Sequence, residues 1–147
     1  MKEFEYFIKK GIVKKGFVDK ARAESLIQEA ERKFKQVERI LKKVGIDDEN
    51  ANDVVEDSHD ILLGLIRARM FLEGFSASGF GAHEAEISFL YKLDFIEQEI
   101  NFIQKLRYFR NGVMYYGKKF NKEYAEKVIK FTKENFQKLK KILNLGW

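Results

Sequence analysis

The chain has 147 residues, enough to bury about two-thirds of its unfolded surface in one core and too few to favour two full domains. It contains no cysteine, which excludes disulfides, thiol nucleophiles and cysteine ligands to zinc. The net charge of +5 is unevenly spread, because residues 118–141 hold nine lysines against three glutamates, more than the whole excess. Such a run is either the solvated face of a helix or an electrostatic footprint for nucleic-acid phosphates.

Proline is absent, and Lys, Glu, Leu, Ile and Phe recur at helical spacing, so an all-α chain is predicted. The abundance of Lys and Glu without Cys also fits a heat-adapted source. No apolar run approaches the roughly 18 residues of a membrane span, and Met1-Lys2-Glu3-Phe4 does not open a signal peptide. A soluble, cytoplasmic protein is therefore expected.

In chain order, a first helix is predicted from Phe4 to Lys14, ending at Lys15-Gly16. A second opens near Asp19, runs through Leu26, Ala30, Phe34, Val37, Ile40 and Leu41, and stops at Val44-Gly45 with a glycine C-cap signal. Asp47-Asp48-Glu49-Asn50 reads as a turn whose acids favour the start of a third helix, Asn50 to Glu73. Gly74 to Gly81 is rich in small residues but lacks the Gly-Lys-Ser/Thr of a phosphate-binding loop, and it reads as a linker between two helical hairpins. A short fourth helix from His83 to Leu93, a fifth from Asp94 to Met114 and a sixth from Asn121 to Leu143 complete an antiparallel bundle of about five to six helices, one domain over residues 1–147. Trp147 is either a packed tail or a frayed end.

The third helix carries Asp53, Glu56, Asp57, Asp60 and Arg67 on one side around Gly64, with Val54, Val55, Ile61, Leu62, Leu65 and Ile66 on the other. The acidic stripe is either a solvated face or a set of counter-charges for a basic neighbour. Gly64 costs about 1 kcal/mol relative to alanine in such a helix, and close helix approach would explain it. Glu56-Asp57-Ser58-His59 has the Glu-x-x-His spacing of carboxylate-bridged di-iron bundles, but His83 has Phe80 three residues before it, so no second motif exists. Neither a metal nor a cofactor is predicted, and His59 is expected at the border of the apolar face.

The fifth helix is the most informative. At about 100° per residue, Ile96, Ile100, Ile103, Leu106, Val113 and Met114 fall on one arc, and Arg107 and Arg110 lie inside it. An unpaired charge in a dry core costs several kcal/mol. These arginines therefore belong to a structural ion pair, extend their heads to water, or line a polar groove that binds an anion. Asn111-Gly112 weakens or ends helices, and Tyr115-Tyr116-Gly117-Lys118-Lys119 follows. Arg110 and Tyr115 would point about 140° apart on an unbroken helix, so they share a site only if the backbone departs from ideal geometry near Gly112. Aromatic groups beside cations offer base stacking and phosphate attraction.

These residues resemble those of the HEPN superfamily of small helical domains. Glu56 to Asp60 falls where the family often keeps a polar acid, Gly74-Phe75 to His83-Glu84-Ala85 is similar to its linker and following helix start, and Arg107 to Gly117 is similar to its signature helix end. The resemblance implies a four-helix up-and-down core and a homodimer whose two signatures form a metal-independent RNase cleft. It also implies, for some members, a toxin and antitoxin pairing with a small nucleotidyltransferase that attaches AMP to a tyrosine. Arg110 and Asn111 match the arginine and polar positions, but Tyr115 stands at the histidine position, and Gly117 stands at that of the modified tyrosine. A tyrosine of pKa about 10 is a poor general base near neutral pH, so the resemblance favours binding over catalysis.

The expected function is RNA or nucleotide binding by a homodimer without membrane association. Arg107, Arg110, Asn111, Tyr116, Lys118 and Lys119 would contact phosphate, and Asp53, Glu56 or Asp60 would act as counter-charges. The alternatives are an RNase in which Arg110 and Tyr115 carry the chemistry, and a dimeric interaction module in which the arginines serve ion pairs alone.

Overall fold

The computed structural model of the protein describes residues 1–117 and 119–144, without the side chains of 113–116, 142 and 144. The other elements are arranged around α3 (Ala51–Leu72), whose residues 61–66 are all buried. Six consecutive buried positions exceed one helical turn, so this helix is covered on every side. Its neighbours include α2 (Lys20–Lys43) and α6 (Lys122–Asn144), which pack along it, and α5 (Glu97–Tyr116), which contacts it less extensively. The core joins Val54, Ile61, Leu62, Leu65 and Ile66 of α3 to Ile100, Ile103 and Leu106 of α5 and to Val128, Leu139 and Leu143 of α6. The all-α expectation holds for the bundle. Among the described residues no helix is long and apolar enough to cross a membrane.

Local chemistry sets the helix ends. The Asp19 carboxylate accepts the Arg22 N–H at the start of α2, and the Asn121 side chain accepts the Tyr124 N–H at the start of α6. At the start of α5 the Glu99 carboxylate accepts the backbone N–H of Ile96 and also pairs with Lys138 of α6 at 3.0 Å. Lys138 lies over the Phe95 ring, and Phe102 stacks on Phe131, so both polar and aromatic contacts tie α5 to α6.

Two segments differ from expectation. The first helix is only α1 (Phe4–Lys9); the chain leaves it at Gly11, whose φ is 74°, and enters β1 (Val13–Lys15). The supposed linker contains β2 (Phe75–Ala77), which pairs antiparallel with β1 in the register Val13↔Ala77, Lys14↔Ser76 and Lys15↔Phe75. Gly74 is required at the end of this ribbon. Its φ is 83°, its carbonyl accepts the Gly16 N–H at 2.7 Å, and a Cβ there would sit well inside contact distance of the Gly16 carbonyl oxygen. The ribbon leads into α4 (Ala82–Ser88), followed by a 3-10 turn over Phe89–Lys92 rather than a continuous helix to Leu93.

Helix α5 starts at Glu97 rather than Asp94, and it runs through Asn111-Gly112 to Tyr116, where Gly117 takes a φ of 67°. Helix propagation and the packing of α5 on its neighbours outweigh the local weakness of the Asn-Gly pair. Trp147 lies outside the described residues.

Candidate functional site

A cleft of about 400 Å³ opens beside the middle of α3. Leu26, Glu29, Ala30 and Lys33 of α2 form one wall, and His59, Asp60, Leu63, Gly64 and Arg67 of α3 form the floor. His83 of α4 and Arg110 of α5 complete it. Helical spacing explains the floor, since residues 60, 63, 64 and 67 recur on one face. Gly64 lies in that floor, where an added methyl group would meet the Leu26 carbonyl oxygen at 4.0 Å, an ordinary contact. Close helix approach therefore does not force glycine here, although a side chain at this position would project from the floor.

Asp60 organises one end. Its carboxylate receives Lys33 Nζ at 3.0 Å and His59 Nδ1 at 3.1 Å, and an Arg110 guanidinium nitrogen lies 3.8 Å away. Burial alone would raise the Asp60 pKa, but the hydrogen bonds from His59 and Lys33 and the Lys33 charge outweigh it, lowering the value to about 2. With Asp60 ionised, its bond to His59 requires the proton on Nδ1, leaving Nε2 as an acceptor. That Nε2 is buried and has no hydrogen-bond partner among the described residues. Burial, followed by the hydrogen bond from His59 to Asp60 acting in the opposite direction, governs this imidazole and leaves its pKa below the ordinary histidine value.

The other end is built on Glu86 of α4, a carboxylate only 3% exposed. Arg67 grips it with two nitrogens, the second bond measuring 3.0 Å, and His83 Nδ1 approaches the same oxygen at 3.1 Å. Burial raises the Glu86 pKa, but the bonds from His83 and Arg67 prevail and hold it below the carboxylate norm. Ionised Glu86 thus has its acceptor capacity committed, and it directs the Nδ1–H of His83 inward. The His83 side chain is 52% exposed.

The sequence-predicted residues divide among several surroundings. Arg110 is in the cleft beside Asp60, and Arg107, one turn earlier on α5, is half-buried. Each has a buried Nε–H with no acceptor among the described residues. Asn111 is half-buried, and Lys119 is exposed. Asp53 is exposed and Glu56 half-buried, and neither forms an ion pair among the described residues. The acidic stripe is consequently not one uniform face: its N-terminal part meets solvent while Asp60 and Arg67 enter the cleft.

Lys118 and the side chains of Tyr115 and Tyr116 lie outside the described residues. The backbone of α5 remains helical across 110–116, so the departure near Gly112 that would bring Arg110 and Tyr115 onto one side is absent there. Among the described residues no group of three or more His, Cys, Asp or Glu side chains is placed to hold a metal ion.

Sequence reasoning does not single out Lys33, Glu86 or the pairing of His83. A usable signal existed in His83-Glu84-Ala85-Glu86, where an acid follows a histidine by three helical positions and stands between the apolar Ala85 and Ile87. An acid facing a core requires a cation. Comparison of the chain with protein-family models, curated proteins and solved structures finds no match.

Proposed function

We propose that the protein binds RNA or a nucleotide by its phosphate, through Arg107, Arg110 and Asn111 of α5, as a HEPN-like homodimer with a small nucleotidyltransferase as its candidate partner. The observation carrying this reading is the guanidinium group of Arg110, which lines the cleft and is 26% exposed, with half-buried Arg107 one turn earlier on α5. Phosphate oxygens match the fork of donors on a guanidinium. Arg110 is only loosely engaged at 3.8 Å by an Asp60 already shared with Lys33 and His59.

Exposed aromatic surface supports the same reading. Tyr108 is 72% exposed beside Arg107, and Phe109 is also exposed beside Arg110, offering planar groups on which bases stack. A two-fold dimer that brought two copies of this helix together would gather four guanidinium charges, making binding salt-sensitive.

The test is fluorescence anisotropy of a short labelled single-stranded RNA over a salt series. The wild type is expected to bind with an affinity that falls as salt rises. Arg107→Ala/Arg110→Ala should weaken binding by about tenfold or more and flatten the log–log salt slope by about 0.7 for each phosphate no longer neutralised. An unchanged affinity and slope would show that these arginines do not contact the RNA.

A further inference from the structure

We propose that the loop Gly16-Phe17-Val18 docks the protein on an anionic lipid bilayer, with Phe17 and Val18 entering its apolar boundary and Lys14, Lys15 and Arg22 meeting the lipid phosphates. The contact involves neither Arg107 nor Arg110, so it goes beyond the phosphate reading of α5.

Phe17 is 99% exposed and Val18 58% exposed, and every residue from 14 to 20 faces solvent. A large apolar group standing wholly in water is stabilised by an apolar surface that covers it. The loop that carries it is fastened on both sides. The Gly16 N–H donates to the Gly74 carbonyl at 2.7 Å, and the Asp19 N–H donates to the Phe71 carbonyl at 3.1 Å. The tip is thus held out by a fixed frame, and docking has little chain to order.

Charge selects the surface. From Ile8 to Lys20 the chain has five lysines and one acid, Asp19, whose carboxylate is turned to the start of α2. Lys9, Lys10, Lys14 and Lys15 form no ion pair among the described residues. A second copy would bring the same cations together, which disfavours self-association through this loop.

The order of groups with depth fits a bilayer. Lys15 Nζ lies 5.3 Å from the centroid of the Phe75 ring, and the Arg22 guanidinium lies 4.8 Å from that of Phe71. Both cations are therefore held against the body of the protein while Phe17 projects from it. A hollow of about 240 Å³, lined by Lys14, Lys15 and Arg22, opens beside Phe17. An apolar tip with cations at its base matches an acyl boundary overlaid by phosphates. Such a contact is peripheral and needs no spanning segment, and among the described residues no helix is long and apolar enough to be one. It narrows the expectation of no membrane association to the absence of a span.

Phe80 supplies an internal control. It is as exposed as Phe17, but it follows the opposite end of the ribbon and has no lysine or arginine between positions 75 and 85.

The experiment is flotation with vesicles of phosphatidylcholine, alone or mixed with phosphatidylserine, over a salt series. Wild type should float with the mixed vesicles only, and less of it as salt rises. Phe17→Ser should lower the partition about tenfold or more, and Lys14→Ala/Lys15→Ala should do the same by about tenfold or more. Phe80→Ser should stay within about twofold of wild type, because cations do not flank it in the chain. Phe17→Trp should add a fluorescence signal, absent from wild type with its native Trp147, that brominated acyl chains quench. RNA anisotropy of Phe17→Ser should match wild type.

An unchanged partition in Phe17→Ser overturns the proposal, as adsorption through the lysines of α6 alone would give that result. Equal losses in Phe17→Ser and Phe80→Ser also overturn it, by showing unselective adsorption. Binding to neither vesicle overturns it and leaves an acidic protein as the partner of this loop. A parallel loss of RNA affinity in Phe17→Ser overturns it by placing the loop in the RNA face, whereas failure of RNA binding in wild type alone overturns only the reading of α5.

Discussion

His59 on α3 and His83 on α4 each present Nδ1 to a carboxylate at 3.1 Å and line one cleft, yet their surroundings give them different work. His59 is sunk into the helical core with a side chain 6% exposed, while its acid, Asp60, is open enough to serve Lys33 and Arg110 too. At His83 the arrangement is inverted, with a buried acid and an exposed imidazole. The same pair of groups thus shares an acid among several cations at one end and turns an imidazole toward solvent at the other. Which partner meets water decides the chemistry, because burial penalises the charged form of either group.

The largest expected effect tests whether Glu86 is the more dependent acid. Arg67→Ala leaves a 3% exposed carboxylate without its bidentate partner. It should cost about 3 kcal/mol in urea unfolding, near the low end for a broken buried pair because Arg67 itself is 35% exposed. A loss below about 1 kcal/mol, the scale of exposed pairs, would remove the contrast between the two ends.

A second effect separates them by pH. The folded His59 pKa is lowered, chiefly by burial, so between the folded and unfolded values the unfolded chain binds the extra proton. Its contribution is present above the unfolded value of about 6.5 and declines as pH falls toward the folded pKa. The slope for this one group is at most about 1.4 kcal/mol per pH unit. Chemical denaturation between pH 7 and 5 should show that decline in wild type and less of it in His59→Gln. Equal slopes would mean that burial of His59 does not govern its protonation. Asp60, with its pKa lowered to about 2, acts in a separate window, its contribution falling only as pH drops from about 4 toward 2.

The smallest effect concerns Asp60 itself. Asp60→Asn removes an acid that faces both Lys33 and Arg110, freeing cationic charge for phosphate. The salt slope of RNA binding should steepen by about 0.7 if one further phosphate is neutralised. A shallower slope would show that Asp60 positions Arg110 more than it neutralises it.

The helices were legible because their apolar period persists over many turns: α2, α3 and α6 lie within one or two residues of the predicted starts and ends. The ribbon was not, since strands of three residues carrying Lys14, Lys15 and Ser76 show no apolar alternation, and the pairing joins Val13 to distant Ala77. The arginines of α5 stood out because they interrupt an apolar arc. Asp60 was among the counter-charges expected for them, but Lys33 and Glu86 did not stand out, because Lys33, Asp60, Arg67 and Glu86 meet only after three helices pack. Local periodicity can report that a charge needs a partner without naming it, and for Glu86 the helical spacing to His83 supplied only half of the answer.

The ribbon also closes a longer stretch of chain than either end of the cleft. The α2 and α3 helices are joined by the short connection 44–50, so the Lys33 and Asp60 end closes over few free residues. β1 and β2 flank that entire hairpin in the chain, and their three pairs must span it. Loop-closure entropy favours the shorter closure first. Arg67 and Glu86 lie 19 residues apart and Lys33 and Asp60 lie 27 apart, so both ends of the cleft close over shorter stretches of chain than the ribbon does, and the ribbon is expected to pair after them.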